Sequence, residues 1–298
     1  MQSRTIQYFT LFLGVLALST SAIFVKLADA PSSITAFYRL FFAALILLPF
    51  LLFKKENWHE LLTLSKKQWC FGLLSGLFLA IHYVLWFESL NYTSVASSTV
   101  IVTLQPLFSF VGGYFLLKER YSKRAITSCF VSLIGCFVIG WGDFEVSSKA
   151  LFGDALAFVA AGVITAYFFI GQHMRKKLSI VPYSILGYVS SALFLGIYAI
   201  SQGVSFTDYP FDTWKAFFGI AFISTILGQM VLNWLLRWLS VSVVSMSILG
   251  ESVGTCILAY FILAEVISLQ QGVGITITLV GLALFLFQQN KERAKQKL

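Results

Sequence analysis

One carboxylic acid lies inside a long apolar segment of this sequence. Glu251 stands near the middle of residues 240–264, which contain no other charged side chain. A charge at the centre of a bilayer costs about 2.5 to 3.5 kcal/mol on insertion scales, so ionisable residues there usually face a cavity or a partner. Glu251 is therefore suited to accept a proton or to pair with the cationic group of a solute. The alternative is a neutral, hydrogen-bonded carboxyl that serves packing.

A histidine and a tryptophan share one face of another apolar segment. His82 and Trp86 are four residues apart, a spacing that places both side chains on the same side of a helix. Together they would form an amphipathic wall on which a solute can stack and hydrogen-bond. Tyr83 is expected to point elsewhere and to be structural. A satisfied core histidine beside packing aromatic residues is the alternative interpretation.

An amide precedes a proline in the fourth apolar segment. Pro106 lacks an N–H and crowds the carbonyl four residues back, so the carbonyl of Val102 loses its usual helical donor. A freed carbonyl beside Gln105 would be a ready ligand group in a cavity. A kink that only shapes the helix bundle is the simpler alternative.

Other apolar segments also contain polar residues. Arg39 and Lys26 lie in the outer halves of their segments, at a depth similar to that of Glu88, which predicts a structural ion pair or an external gate. Snorkelling to the interface explains Lys26 equally well. Four further polar residues are candidates, and interhelical hydrogen bonding is the more frequent role of such side chains: Tyr167, Gln172, Gln229 and Asn233. Of these, Tyr167 and Asn233 are predicted to line the solute pathway.

The composition is that of a membrane protein. Of 298 residues, 58% are hydrophobic and 11% are charged, whereas about a quarter are charged in a typical soluble domain. A helix needs about 20 mostly apolar residues to cross a bilayer. Such stretches are predicted at 8–28, 32–54, 69–89, 94–117, 123–142, 150–173, 181–203, 213–236, 240–264 and 269–289. They are too long and too uniformly apolar for barrel strands, so the expected fold class is all-α integral membrane with ten transmembrane helices.

The basic residues lie on one side of this predicted topology. With the N-terminus inside, all of the 21 Lys and Arg residues fall in inner segments except Lys26, Arg39, Lys149 and Lys215. Because Lys and Arg mark cytoplasmic loops, both termini are expected in the cytoplasm, with a basic tail at 290–298. The net charge of +8 then reflects topology and contact with anionic lipid rather than binding to nucleic acid.

The chain also contains an internal repeat. Residues 114–120 read YFLLKER and residues 260–266 read YFILAEV, 146 positions later, and each precedes a serine and a second helix. Since each half holds five predicted helices, the second half must enter the membrane from the opposite side. The Glu119 turn is then inside, where bases are allowed, and the Glu265 turn is outside. Inverted repeats of this kind are characteristic of secondary transporters that work by alternating access.

The same shift relates the candidate residues to each other. It aligns Gln105 with Glu251, so two polar groups occupy equivalent points of the two halves, as a pseudo-symmetric central site requires. The halves are expected to be residues 1–142 and 150–289, each a five-helix repeat.

Two stretches carry a resemblance to a known family. LWFESLNYTSVASSTVIVTLQPLFSFVGGYFLLKER at 85–120 resembles the third and fourth helices of the EamA-type members of the drug/metabolite transporter superfamily. The residues that match the pattern are Ser89-Leu90, Tyr92 to Ala96, Gln105-Pro106 and Glu119. ILGESVGTCILAYFILAE at 248–265 is similar to the ninth helix, although members commonly have proline where this chain has Ser252. The resemblance implies movement of small organic solutes such as amino acids, metabolites or toxic compounds, frequently by export.

Enzymatic functions are disfavoured by the motifs. The sequence has no rhomboid-type Gly-x-Ser-Gly run, no HExxH zinc pair and no Walker-type loop. No cofactor or metal is therefore expected, and energy would come from the solute's own gradient or from an ion gradient, with protons as the candidate coupling ion. The interpretation is a multi-pass secondary transporter in a bacterial cytoplasmic membrane. A membrane receptor or scaffold without transport is the alternative function.

Overall fold

A computed structural model describes residues 4–93, 95–141, 147–264 and 266–295. The chain in these ranges forms helices, which in order are α1 (Arg4–Ser19), α2 (Ser21–Leu27), α3 (Ser32–Phe53), α4 (Lys55–Leu62), α5 (Lys66–Ser89), α6 (Val95–Val102), α7 (Gln105–Leu117), α8 (Lys123–Gly140), α9 (Ser148–Arg175), α10 (Ile180–Ser201), α11 (Phe211–Gly219), a π-helix (Ile220–Met230), α12 (Val231–Leu235), α13 (Val241–Leu263) and α14 (Leu269–Lys295).

These helices combine into ten spans long and apolar enough to cross a membrane, counted over the described residues. Span 1 comprises α1 and α2, span 4 comprises α6 and α7, and span 8 comprises α11, the π-helix and α12. Every other span is a single helix, and α4 lies between spans 2 and 3. The predicted fold class is confirmed.

Helix ends follow capping side chains rather than hydropathy. Hydropathy placed the start of the third span at residue 69, whereas α5 begins at Lys66. The reason is a reciprocal cap, in which the Gln68 N–H donates to Ser65 Oγ at 3.3 Å and the Ser65 N–H donates to Gln68 Oε1 at 2.8 Å. Ser147 likewise accepts the N–H of Ala150 at 3.1 Å at the start of α9.

The two halves make the same turn at the predicted place. α7 and α13 are each followed by a residue with left-handed backbone, Lys118 (φ 55°) and Ala264 (φ 56°), which correspond under the 146-residue shift. The N–H groups of these two residues donate to the carbonyls of Gly113 and Ala259, which also correspond. Glu265, predicted in the second turn, lies outside the described residues.

The helices after these turns begin in equivalent ways. Ser122 Oγ accepts the N–H of Ala125 at 3.2 Å at the start of α8. Its counterpart Ser268 accepts the N–H of Gln271 at 3.1 Å at the start of α14. The repeat seen in the sequence is therefore also a repeat of hydrogen bonds.

The corresponding helices α8 and α14 pack against each other in opposite directions. Ser132 Oγ donates to the carbonyl of Thr278, its own counterpart in the other repeat, at 3.3 Å. Further along α8, Gln270 Nε2 donates to the carbonyl of Val138 at 3.1 Å. Residue numbers thus rise along α8 while they fall along α14. Equivalent helices that run antiparallel are what an inverted repeat requires.

Small residues allow the close approach of this helix pair. A Cβ on Gly281 would lie 2.6 Å from the backbone nitrogen of Ser132, and a Cβ on Gly135 would lie 2.8 Å from the carbonyl oxygen of Gly274. Gly135 and Gly281 correspond under the shift, so each repeat supplies one glycine to the contact. The α8–α14 pair lies on the pseudo-two-fold axis that relates the halves.

Replacing Gly281 with alanine should destabilise the fold, because the added carbon meets backbone and overpacking costs about 1 to 3 kcal/mol. We expect the midpoint of thermal unfolding of detergent-purified protein to fall by several degrees. Gly272→Ala is the matched control, since a Cβ at this position of the same helix meets nothing within 4 Å. Equal midpoints for the two variants would contradict the close approach.

The loop charges predict the orientation of the bundle. Lys118, Arg120, Lys123 and Arg124 lie at one end, here called the base-rich end, which the positive-inside rule places in the cytoplasm. A membrane-impermeant maleimide added to intact cells should label Val266→Cys, an 85% exposed position, but label Arg120→Cys only after lysis. Both variants need a Cys70→Ala background, because Cys70 is exposed. Labelling of both sites from the same side would overturn the inverted orientation.

Candidate functional site

Three of the spans are irregular near one another. Span 1 is interrupted at Thr20, span 4 is divided at residues 103–104, and span 8 contains an eleven-residue π-helix, Ile220–Met230. Irregular backbone at membrane depth is tolerated where it is buried in protein or lines a cavity, and π-helical turns occur frequently at functional sites. The interruptions therefore indicate where the functional site lies.

The break in span 4 occurs beside the proline that the sequence singled out. Leu104 donates its N–H to the carbonyl of Ile101 rather than to that of Val100, at 3.0 Å, and α7 restarts at Gln105. Span 9, in contrast, is one continuous helix, α13, which passes through Ser252 without interruption. The repeats therefore differ at this level, because only the first has the proline.

A small cavity lies among these interruptions. It has a volume of about 30 Å³, and its walls come from both repeats. Five of the seven predicted site residues line it: Arg39, His82, Trp86, Gln105 and Glu251. Gln105 and Glu251, the pair aligned by the shift, thus share one cavity. The volume is enough for one or two water molecules and too small for an organic solute.

Arg39 is held in place by hydroxyl groups. Its side chain is only 1% exposed, with Nε donating to Thr225 Oγ1 at 2.9 Å and Nη1 donating to Ser21 Oγ at 2.6 Å. Its guanidinium carbon lies 4.5 Å from the centre of the Tyr83 ring, a cation–π contact. Thr225 belongs to the π-helix and Ser21 follows the break at Thr20, so both irregular spans serve to position this one cation.

Two expectations are corrected here. The predicted ion pair between Arg39 and Glu88 does not form; Glu88 instead accepts a hydrogen bond from Asn91 at 3.1 Å, away from the cavity. Tyr83 was expected to point elsewhere, but it lines the cavity. The reason is that α5 is surrounded by other helices, so its buried face is wide enough to include neighbouring positions.

Glu251 faces the same cavity from span 9. Its side chain is 8% exposed, and no hydrogen bond joins its carboxylate to another described residue. Arg39 lines this cavity too, but no nitrogen of Arg39 lies within 4 Å of a Glu251 oxygen. An acidic and a basic side chain therefore share a small space without direct contact.

His82 and Trp86 form a stacked pair in the cavity wall. Their ring centres are 5.9 Å apart with an interplanar angle of 23°. His82 Nδ1 contacts the carbonyl oxygen of Ala160 at 3.0 Å, which assigns Nδ1 as the donor and leaves Nε2 as an acceptor. The predicted shared helix face is confirmed.

Several buried polar atoms around the cavity have no hydrogen-bond partner among the described residues. They are Tyr83 Oη, Trp86 Nε1, Gln105 Oε1 and Gln229 Nε2. A buried polar atom without a hydrogen bond costs about 1 to 3 kcal/mol of folding free energy. Several such atoms in one place would therefore destabilise a core that served only for packing. Such a set of donors and acceptors is suited to bind a polar ligand.

The remaining two predicted residues lie elsewhere. Asn233 Nδ2 donates to Tyr167 Oη at 2.5 Å, which links span 8 to span 6, and neither residue is among those lining the cavity. Arg175 Nε adds a 3.3 Å bond to the carbonyl of Asn233. These contacts match the interhelical alternative considered for the pair, and a place in the pathway stays a prediction.

A hydrogen-bonded cluster lies at the base-rich end. Tyr121 Oη donates to Glu119 Oε2 at 2.6 Å and lies 2.7 Å from Ser242 Oγ, which is itself 3.4 Å from the same carboxylate oxygen. Burial, together with the bond to Glu119, raises the pKa of Tyr121, so the phenol stays protonated. We call Glu119, Tyr121 and Ser242 the latch, because it joins the turn after span 4 to the start of span 9 in the other repeat.

The sequence had no signal for much of this site. The bond of Arg39 to Thr225 in the π-helix and the contact of Tyr121 with Ser242 join residues more than a hundred positions apart. Gln229 was noted only as a polar residue in an apolar segment. Its place in the cavity follows from the π-helix.

Comparison with known proteins agrees with this architecture. A family model described as the EamA-like transporter family matches residues 5–141 and again residues 151–287. A crystal structure described only as that of a protein superimposes with a TM-score of 0.82 over 96% of this chain and 99% of the other, at 15% identity. This likeness shows the shared fold.

Relatives identified by sequence are transporters by name. An uncharacterized transporter of Archaeoglobus fulgidus is 24% identical over 98% of this chain and its own full length. The uncharacterized transporter YyaM of Bacillus subtilis is 26% identical over 66% of each chain. The S-adenosylmethionine uptake transporter of Rickettsia prowazekii is 27% identical over 48% of each chain.

The family model and the Archaeoglobus relative match both halves of the chain, and the family and relatives' names point to a transporter rather than an enzyme. Ten apolar helices and bacterial and archaeal relatives place it in the plasma membrane as a multi-pass protein. The chain belongs to the EamA-like transporter family.

Proposed function

We propose that this protein is a secondary transporter that moves a small organic solute with both a positive and a negative group, by alternating access around the central cavity. The observation that carries the proposal is the convergence of one carboxylate, one guanidinium and four unpartnered polar atoms in one cavity between the repeats. Amino acids and their derivatives have this pair of charges.

Each wall of the cavity suits one part of such a solute. Glu251 would bind the cationic group, since it lines the cavity and its carboxyl group has no hydrogen bond to another described residue. Arg39 uses two of its five guanidinium N–H donors in the bonds to Thr225 and Ser21, so the others are available to an anionic group. Trp86 and His82 would stack on the solute body.

The volume of the cavity requires a conformational change. About 30 Å³ is too small for the solute, so the structure corresponds to a contracted state that must open to load. Opening toward the base-rich end would separate Tyr121 from Ser242 and so break the latch. The positions equivalent to these residues are Ile267 and Ala96, which have no hydroxyl group. The latch therefore favours closure of the base-rich end over closure of the opposite end.

Direction and coupling are part of the proposal. Export is implied by the sequence resemblance, whereas the Rickettsia relatives are named for uptake of S-adenosylmethionine, a solute with cationic groups and a carboxylate. We propose export coupled to protons, with Glu251 as the group that binds either the proton or the cationic group.

Loss of the Glu251 carboxylate should abolish transport. Cells that overproduce the wild type and cells that overproduce Glu251→Gln are compared by untargeted mass spectrometry of cells and medium. We expect one class of charged amino-acid-like solute to accumulate outside with the wild type and to fall about tenfold or more with the variant, since one lost charge contact of about 1.4 kcal/mol is a factor of ten. Accumulation inside would instead support uptake.

Glu88→Gln is the matched control for this experiment. It makes the same chemical change on a carboxylate that binds Asn91 outside the cavity, so transport should stay within about twofold of the wild type, a difference of under 0.5 kcal/mol. Equal transport by all three proteins would refute the role of Glu251. A receptor or scaffold predicts no solute difference from an empty vector.

Weakening the latch should expose the interior from the base-rich end. Ser245, one turn beyond Ser242 in α13, is fully buried, and we expect maleimide to label Ser245→Cys faster when Tyr121 is changed to Phe. Loss of hydrogen bonds worth about 1 kcal/mol predicts an increase of about fivefold. Tyr114→Phe, on an exposed tyrosine near the same end, should leave the rate unchanged, and equal rates in all backgrounds would argue against the latch.

A further inference from the structure

A groove runs along the lipid-facing side of the α8–α14 pair. Its volume is about 410 Å³, and its lining extends from Ser128, which is in close contact with Gly281, to Lys123 and Arg124 at the base-rich end. A groove of similar size between α3 and α10 is lined by apolar side chains and glycine. The α8–α14 groove differs because it has a charged mouth.

The lining changes in chemistry with depth. Lys123 and Arg124 lie in the first turn of α8, with Thr127 and Ser128 one turn further in and Val131 beyond them. Because α14 runs antiparallel to α8, Phe287 and Gln288 lie near the level of the two bases, and Leu284 lies about one turn further in. The positive charge is therefore confined to one end of the groove. A phospholipid likewise has its charged phosphate at one end and uncharged ester groups and acyl chains beyond it.

The two bases have no anionic partner among the described residues. No carboxylate oxygen of the described chain lies within 4 Å of Lys123 Nζ or of the Arg124 guanidinium. Both are in the first turn of a helix that has no acidic residue there, where the positive end of the helix dipole repels a cation. An anion at the groove mouth would supply the missing partner of both bases and would offset their repulsion by the helix dipole.

The equivalent positions at the other end of the helix pair have no charge. Under the 146-residue shift, Lys123 and Arg124 correspond to Leu269 and Gln270. The packing of α8 against α14 is therefore common to both ends of the helix pair, whereas the two bases occur only at the base-rich end. Their combination with the groove is what distinguishes this site from a general excess of basic residues.

We propose that this groove binds an anionic glycerophospholipid of the adjacent leaflet, with its phosphate on Lys123 and Arg124 and its acyl chains along Leu284 and Val131. Because α8 and α14 belong to different repeats, the lipid braces the contact between the two halves. The site is separate from the central cavity, and its occupancy does not depend on the proposed transport.

Native mass spectrometry in a mild non-ionic detergent tests the site. Phosphatidylglycerol and phosphatidylcholine with identical acyl chains are added in equal amounts to the purified protein. We expect the wild type to retain phosphatidylglycerol about tenfold more, since each base near a headgroup strengthens binding several-fold. The preference should disappear in the double variant Lys123→Gln/Arg124→Gln.

Two further variants separate a built site from diffuse charge. Thr127→Trp fills the groove and leaves both bases, so it should also abolish the preference. Lys176→Gln/Lys177→Gln removes two adjacent exposed bases after α9 that line none of the grooves described above, so it should keep the preference. The proposal would be overturned if Thr127→Trp kept the preference for phosphatidylglycerol, or if the Lys176/Lys177 variant lost that preference as fully as the Lys123/Arg124 variant. Unfolding midpoints without added lipid verify that each variant is folded.

Discussion

The hydrocarbon core of the membrane offers no hydrogen-bond partner, and this constraint shapes every part of the molecule. Backbone groups must bond within helices, which is why the described chain consists of ten long helical spans. Irregular backbone is stable at membrane depth only where protein surrounds it or where it lines a cavity. In this structure the break at Thr20, the division of span 4 and the π-helix of span 8 all border one cavity.

The same constraint explains why Arg39 is hydrogen-bonded by protein side chains. A cation at this depth must be paired or solvated by protein, and the fold supplies two hydroxyl groups and an aromatic ring rather than a carboxylate. Glu251 is thereby left without a direct ion pair, although it shares the cavity. An Arg–Glu salt bridge would have joined the two side chains directly, whereas in the observed arrangement Arg39 is bound by Thr225 and Ser21 and does not contact Glu251.

The two repeats share a scaffold and differ in chemistry. The left-handed turns at Lys118 and Ala264, the serine caps and the antiparallel contact at Ser132 and Thr278 are equivalent. Proline interrupts only span 4, and the four bases at the base-rich end and the latch hydroxyl groups of Tyr121 and Ser242 have no equivalents at the other end. The two ends of the bundle therefore share a backbone arrangement and differ in their side-chain contacts.

The sequence by itself determined the ten spans, the repeat and its inversion, because these depend on hydropathy, helix length and local turn residues. It also identified five cavity residues, because burying a polar side chain in a membrane span costs free energy and such residues therefore usually face a cavity or a partner. Only the tertiary structure decided that Tyr83 faces the cavity, that Arg39 bonds to Thr225 and Ser21 instead of pairing with Glu88, and that Tyr167 and Asn233 bond to each other. Those outcomes depend on which helices become neighbours, and on a π-helix whose register is set by packing against spans 1 and 2, information that no local stretch of sequence contains.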